Sequence, residues 1–219
     1  MFFKLNQIMI RMEINLNTIG MEKGRQYETI ITTKNSDNTY NAAPIGVICS
    51  GKDKIVNRIF KGSHTLENII SNREYFVNIT QDPEIFMLST LGNLPQNYFT
   101  SEGHLKFCDS YFKCKVVSLT EAVKQSDPIK KKGEAIVIKS EVTEITANND
   151  KTAFNRGFGY VVESLSNYSR FELVDLDKKE EYIKTFKEAY RVVKKVGTKN
   201  DIASMKKIKE EYNKKGFKP

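Results

Sequence analysis

The hydrophobic period of this chain changes once, near Ala153, and that change limits what it can fold into. Upstream, apolar residues alternate with polar ones in short runs separated by turn-forming clusters; downstream they recur every three to four positions. The first pattern belongs to strands and the second to amphipathic helices. A β unit over residues 13–150 followed by a helical unit over 151–219 is the organisation this predicts.

Tyr27 to Thr33 is rich in β-branched residues and stops at Lys34-Asn35-Ser36-Asp37-Asn38, so a hairpin to a returning strand, Tyr40 to Cys49, is expected. Pro44 in that strand has no N–H to give to a ladder and marks an edge or a bulge, where a ligand can approach the backbone. Lys54 to Phe60 alternates, which puts Arg58 on one face with Val56 and Phe60. Glu74 to Thr80, Tyr111 to Leu119 and Glu134 to Ile145 supply further strands, the last two joined by a charged turn at Gln125 to Gly133. Six or seven short strands with tight turns predict a small barrel or sandwich with one or two helices outside. Ser63 suits an N-cap for a helix ending near Asn72, Asp82-Pro83 opens another, and Leu91 to Gly103 is a long loop.

In the helical unit, Phe154, Phe158, Val161, Leu165 and Tyr168 form a stripe expected to be buried. Asp177 to Glu180 is expected to cap a second helix that ends at Gly197, and a third carries Ile202, Met205, Ile208 and Tyr212. From Asp177 to Pro219 there are 14 Lys or Arg against 7 Asp or Glu, which concentrates most of the net charge of +8 in the tail. Nucleic-acid binding by these basic helices is one reading; interleaved acidic residues at helical spacing favour solvated faces.

Cys49, Cys108 and Cys114 form no CxxC pair and are expected to be buried apolar residues in a reducing cytoplasm. His64 and His104 stand alone as loop or surface residues, so no metal site is expected. The start MFFKLNQIMI lacks a secretory pattern, and no run is long and apolar enough to span a membrane. Glu180-Glu181 and Glu210-Glu211 fit solvated faces. Arg156, Glu163 and Arg170 are expected to pair among themselves, the alternative being that they reach the pocket, and Gly157 and Gly159 demand either a later helix start or a close approach.

The strongest chemical signal lies between Arg58 and Thr65. Arg58 and Lys61 precede Gly62-Ser63-His64-Thr65 at a helix start, where unpaired amides and the helix dipole favour an anion. Arg presents a planar fork that matches phosphate oxygens. A Ser or Thr at such a position is also an ordinary cap.

Asn41-Ala42-Ala43-Pro44-Ile45-Gly46-Val47, Arg58 to Thr65, Phe76-Val77-Asn78-Ile79 and Asn155-Arg156-Gly157, in that order, resemble motifs of the FMN-binding split-barrel superfamily. The resemblance is to a largely archaeal, uncharacterised branch with a flavin reductase-like fold, and it covers roughly Tyr27 to Phe171. It implies a mainly β protein with a six-stranded antiparallel split barrel and a C-terminal helical appendage, a homodimer binding FMN near the subunit interface. Arg58, Lys61, Ser63 and Thr65 would hold the phosphate, and the ring would lie against Thr32, Asn41, Ala42 and Ala43. Asn38, where the branch usually has Gly, is expected to alter the first turn.

The function expected from this is an oxidoreductase passing hydride or electrons between a reduced nicotinamide or a deazaflavin and an acceptor the sequence does not identify. A non-catalytic protein that holds flavin or another phosphorylated ligand is the alternative from a different class.

Overall fold

The computed structural model describes residues 14–92, 94–123, 134–147 and 152–219. Six strands, β1 (Gln26–Lys34), β2 (Tyr40–Cys49), β3 (Lys54–Phe60), β4 (Glu74–Ile79), β5 (Ser110–Val123) and β6 (Glu134–Ala147), close into an antiparallel barrel in the order β1-β2-β3-β6-β5-β4. Closure removes free sheet edges except where a ladder is short. The β2–β3 ladder is short: it pairs only Val47, Ile48 and Cys49 with Asn57, Val56 and Ile55. Pro44 therefore has β1 on one side and no strand on the other, the edge position its missing N–H requires.

The pleat sorts residues between two cores. Ile31, Val47, Ile55, Ile59, Val77, Phe112, Cys114 and Ile138 fill the barrel, and helix α1 (His64–Asn72) adds Leu66 and Ile69 to the same cluster. Each such fully buried side chain contributes about 1.5–3 kcal/mol. On the outer face, Ile30 of β1 and Ala42 of β2 lie under helix α2 (Pro83–Leu91) and the following loop, which bring Ile85, Leu94, Phe99 and Leu105. Asn78 of β4 pins that loop: its amide donates to the Ile30 carbonyl at 3.0 Å, and its carbonyl oxygen accepts the Leu105 N–H at 2.8 Å.

Helices α3 (Gly157–Ser169), α4 (Leu176–Val196) and α5 (Lys199–Lys214) enclose a core containing Phe171, Phe186, Val193, Met205 and Tyr212. Asn155 couples this bundle to the barrel. Its side-chain amide donates to the carbonyls of Gln26 on β1 (2.7 Å) and Val196 at the end of α4 (2.6 Å), and its Oδ1 accepts the Gly157 N–H. Several tail charges pair within their own helices, as in Lys178–Glu181, Glu188–Arg191 and Glu211–Lys214, while Lys179 and Lys215 both reach Glu172 ahead of α4.

Several expectations change. The expected stripe is only partly buried: Val161 and Tyr168 pack into the bundle core, whereas Phe154, Phe158 and Leu165 face solvent, and the buried face of α3 is Gly157, Val161, Ser164 and Asn167. Small residues win that face because α3 and the end of α4 approach closely; a Cβ on Gly157 would stand 2.7 Å from Gly197 Cα. Gly159, by contrast, has open space. The cap of α4 is Asp175, two residues earlier than the Asp177 expected, because its carboxylate accepts the Lys178 N–H. Arg156 pairs with Glu28 of β1 and not with Glu163 or Arg170. Asn38 has φ 68°, the left-handed conformation that Asn tolerates best after Gly, so the first turn keeps a backbone that glycine would permit. The charged turn at Gln125 to Gly133 lies outside the described residues.

Candidate functional site

Where β3 leaves the barrel, Gly62 takes φ 81°, a left-handed turn that turns the chain into α1. Ser63 is the N-cap: its hydroxyl oxygen accepts the Leu66 N–H at 3.3 Å and donates to the Phe60 carbonyl at 3.1 Å. Thr65, buried in the first turn, accepts the side-chain amide of Asn41 at 2.9 Å, which ties α1 to the unpaired part of β2. Lys61 pairs with Glu121 of β5 at 2.9 Å. Arg58 stands exposed on the outer face of β3, and among the described residues it makes no hydrogen bond or ion pair. A guanidinium without a side-chain partner among the described residues, just ahead of a helix N-terminus in the chain, can take an anion.

The structure thus brings Asn41 and Ala42 against the start of α1. They line a cavity of about 250 Å³ together with Tyr40, His64, Gly92 and Leu94, between the N-terminus of α1 and the C-terminus of α2. From the turn it is His64, exposed at the first helical position, that reaches the lining; Arg58, Lys61, Ser63 and Thr65 are not among its lining residues. Thr32 sits beneath, paired across the strand with Ala42 and fully buried, its hydroxyl accepting from Asn78 at 3.2 Å. Ala43 alternates to the other face of β2 from Ala42.

Two further residues shape the site and carry no sequence signal of their own. Gln96 closes the end of β2 by accepting the Tyr40 N–H (2.9 Å) and donating to the Tyr40 carbonyl (2.7 Å), as a neighbouring strand would. Asn68 of α1 donates to Thr33 (3.0 Å) and to Asn35 (2.7 Å), holding the first hairpin against the helix. His64 had a readable signal, its place directly after the cap.

The three thiols are buried, and no disulfide joins them. Burial pushes Cys108 up to about 12 and holds Cys114 and Cys49 above the ordinary thiol range, so none is poised as a nucleophile. His104 stacks on Tyr111 with ring centroids 3.7 Å apart, a packing role inside the loop. Among the described residues no three His, Cys, Asp or Glu side chains gather as a metal site, and no helix is long and apolar enough to cross a membrane.

A closed six-stranded antiparallel barrel with one short ladder, between β2 and β3, and helices outside defines a split-barrel protein. Residues 27–195 match a family model described as a protein of unknown function (DUF447), N-terminal domain, and the chain belongs to that family. It is 31% identical over 176 residues to an uncharacterised protein of Methanocaldococcus jannaschii, spanning 78% of this chain and 89% of that one. Among solved structures it is similar to an FMN-bound protein of the same family from Methanosarcina mazei, with 26% identity, a TM-score of 0.52, and coverage of 90% of this chain and 99% of that chain.

Proposed function

We propose that this protein binds FMN and works as an oxidoreductase, passing hydride or electrons between a reduced nicotinamide or deazaflavin and an acceptor. The carrying observation is the capped N-terminus of α1 facing the stretch of β2 that β3 leaves unpaired, with Arg58, exposed and without a side-chain partner among the described residues, just ahead of it in the chain. Supporting it is the likeness to a family member crystallised with FMN. Arg58, Lys61, Ser63 and Thr65 would take the phosphate, the helix dipole adding to their attraction. Lys61 would exchange Glu121 for the phosphate, a surface ion pair worth little.

Asn41, Ala42, Ala43 and the underlying Thr32 would carry the ring on the open side of β2, where main-chain amides can meet its polar edge. When bound, flavin supplies the hydride and electron chemistry; the chain orients it, excludes water under the α2 loop and offers amide dipoles toward developing negative charge. A second copy of the chain, seated on the outward apolar residues Phe158, Val162 and Leu165 of α3, would complete a homodimer. Three buried cysteines with no disulfide among them fit a reducing cytoplasm.

The test is the visible spectrum of the purified protein and an FMN titration, followed by anaerobic mixing with NADH, NADPH or a reduced deazaflavin. Flavin bands and bleaching by a donor with turnover onto an acceptor are expected. A colourless protein that takes up no FMN would overturn the reading, and FMN retained without reduction by any donor would favour a carrier.

A further inference from the structure

Helix α4 carries a row of cations that the pairing of the other tail charges leaves over. Lys184, Lys187, Tyr190 and Lys194 follow one another at steps of three and four residues, so they share one side of the helix over roughly 15 Å. The three lysines are exposed, and among the described residues none of them meets a carboxylate. Lys209, half-buried on α5, reaches across the seam to the same ring: its ammonium lies 6.0 Å from the Tyr190 centroid, and that of Lys194 lies 5.0 Å from it. The ring attracts each ammonium, but the two repel one another, and neither has an acidic partner among the described residues. At the other end of the row, Lys184 and Lys187 flank a groove of about 280 Å³ that Ile183 and Phe217 also line. Acidic residues are sparse on this side: Glu188 is held by Arg191 at 2.9 Å, and Glu180 lines the groove one turn before Lys184.

We propose that the seam between α4 and α5 binds single-stranded nucleic acid through its phosphate backbone, a function separate from the flavin site. Two ammonium groups converging without a carboxylate gain most from an anion set between them, and phosphates repeated along a chain match cations repeated along a helix. One row of cations tracks one strand. The groove beside Lys184 and Lys187 offers an unstacked base the ring of Phe217 to pack on, which a paired base in a duplex cannot use. A lipid surface calls for apolar side chains projecting among the cations, and Leu176, the exposed leucine of α4, stands at its first turn, ahead of Asp177 and Glu180. An acidic peptide matches the charges but makes no use of a ring on which a base can stack.

The experiment uses the full chain and a labelled oligothymidylate, read by fluorescence anisotropy across a salt series. Binding is expected at low salt, with log affinity falling against log salt at a slope of about −3, as four phosphate contacts on a single strand give. Lys187→Glu with Lys194→Glu and Lys209→Glu is expected to weaken it by about ten-fold or more. Lys23→Glu with Lys54→Glu and Lys139→Glu, at exposed lysines of the barrel unit, makes the same change in net charge and is expected to alter it by less than about three-fold. Circular dichroism checks each fold. Lys187→Gln with Lys194→Gln, both exposed, keeps the test alive if the triple variant disturbs the bundle, and should lower the slope by about 1.4. No binding at low salt, an equal loss in the barrel variant, or a slope that the glutamine pair leaves unchanged would each overturn the proposal. Polyglutamate or phosphatidylglycerol vesicles bound as tightly as the oligonucleotide would overturn it too, by making the row a site for acidic protein or for a membrane. None of these readouts involves flavin, so the FMN reading stands or falls separately.

Discussion

Asn41 donates its side-chain amide to the hydroxyl of Thr65 at 2.9 Å, and this one bond joins the strand proposed to carry a ring to the helix turn proposed to carry its phosphate. Asn41→Ala leaves the buried Thr65 oxygen without that donor and is expected to cost about 1–2 kcal/mol. Adding Thr65→Val should recover part of the loss, because removing both partners costs less than removing one. Urea denaturation of the two single variants and the double variant measures the coupling.

Arg58→Ala should weaken FMN binding ten-fold or more and leave folding unchanged. The side chain is exposed and holds no protein partner, so stability does not depend on it, whereas a charge-assisted bond to phosphate is worth about 1.5–3 kcal/mol. Fluorescence titration of FMN against the parent and the variant, with thermal melts alongside, separates the two effects. Equal affinity would remove the phosphate from this turn.

Gly157→Ala and Gly159→Ala should move stability in opposite directions. The first drives a methyl group to 2.7 Å from the Gly197 backbone, which cannot yield as a side chain can, at a cost of about 1–3 kcal/mol. The second meets nothing within 4 Å and gains about 0.5–1 kcal/mol from helix propensity. Paired melting curves decide it.

The buried thiols make stability fall at high pH. An unfolded chain releases these protons near the ordinary value of 9.0, whereas folded Cys108 holds its proton to about 12. The folded state therefore binds more protons between those values, and its advantage, complete below pH 9, is lost as pH rises toward 12. Cys108→Ser should flatten that part of the stability curve. In the native protein all three thiols should react with a disulfide reagent at pH 8 only on unfolding.

If the outward face of α3 seats a second copy, Phe158→Glu with Leu165→Glu should convert a dimer to a monomer in light scattering while the bundle core, built on Val161, Phe186 and Tyr212, stays folded. A parent already monomeric would remove that partner.

Strand alternation located all six strands, and cap chemistry located Ser63 and Asp82, because those signals act over a few residues. In the α3 stripe Val161 and Tyr168 pack inward, but Phe158 and Leu165 misled because periodicity reports which residues are apolar and not which side finds a neighbour; contact with α4 selected the glycine side. The Asn155 clamp and the Glu28–Arg156 pair join residues more than a hundred positions apart, and no local pattern encodes them. The turn at Arg58 to Thr65 was legible as a possible anion site; the cavity at Asn41 and Ala42 depends on how far β3 splays from β2.

The short β2–β3 ladder has a consequence for the protein before any ligand arrives. A strand with one side unpaired invites a strand from another chain to zip along it, the first step of aggregation. Pro44 lies in the middle of that stretch and Gln96 already occupies the backbone of Tyr40 at its end, so an incoming strand finds one donor missing and one residue taken. The same seam can stay open to a small molecule while refusing a polypeptide.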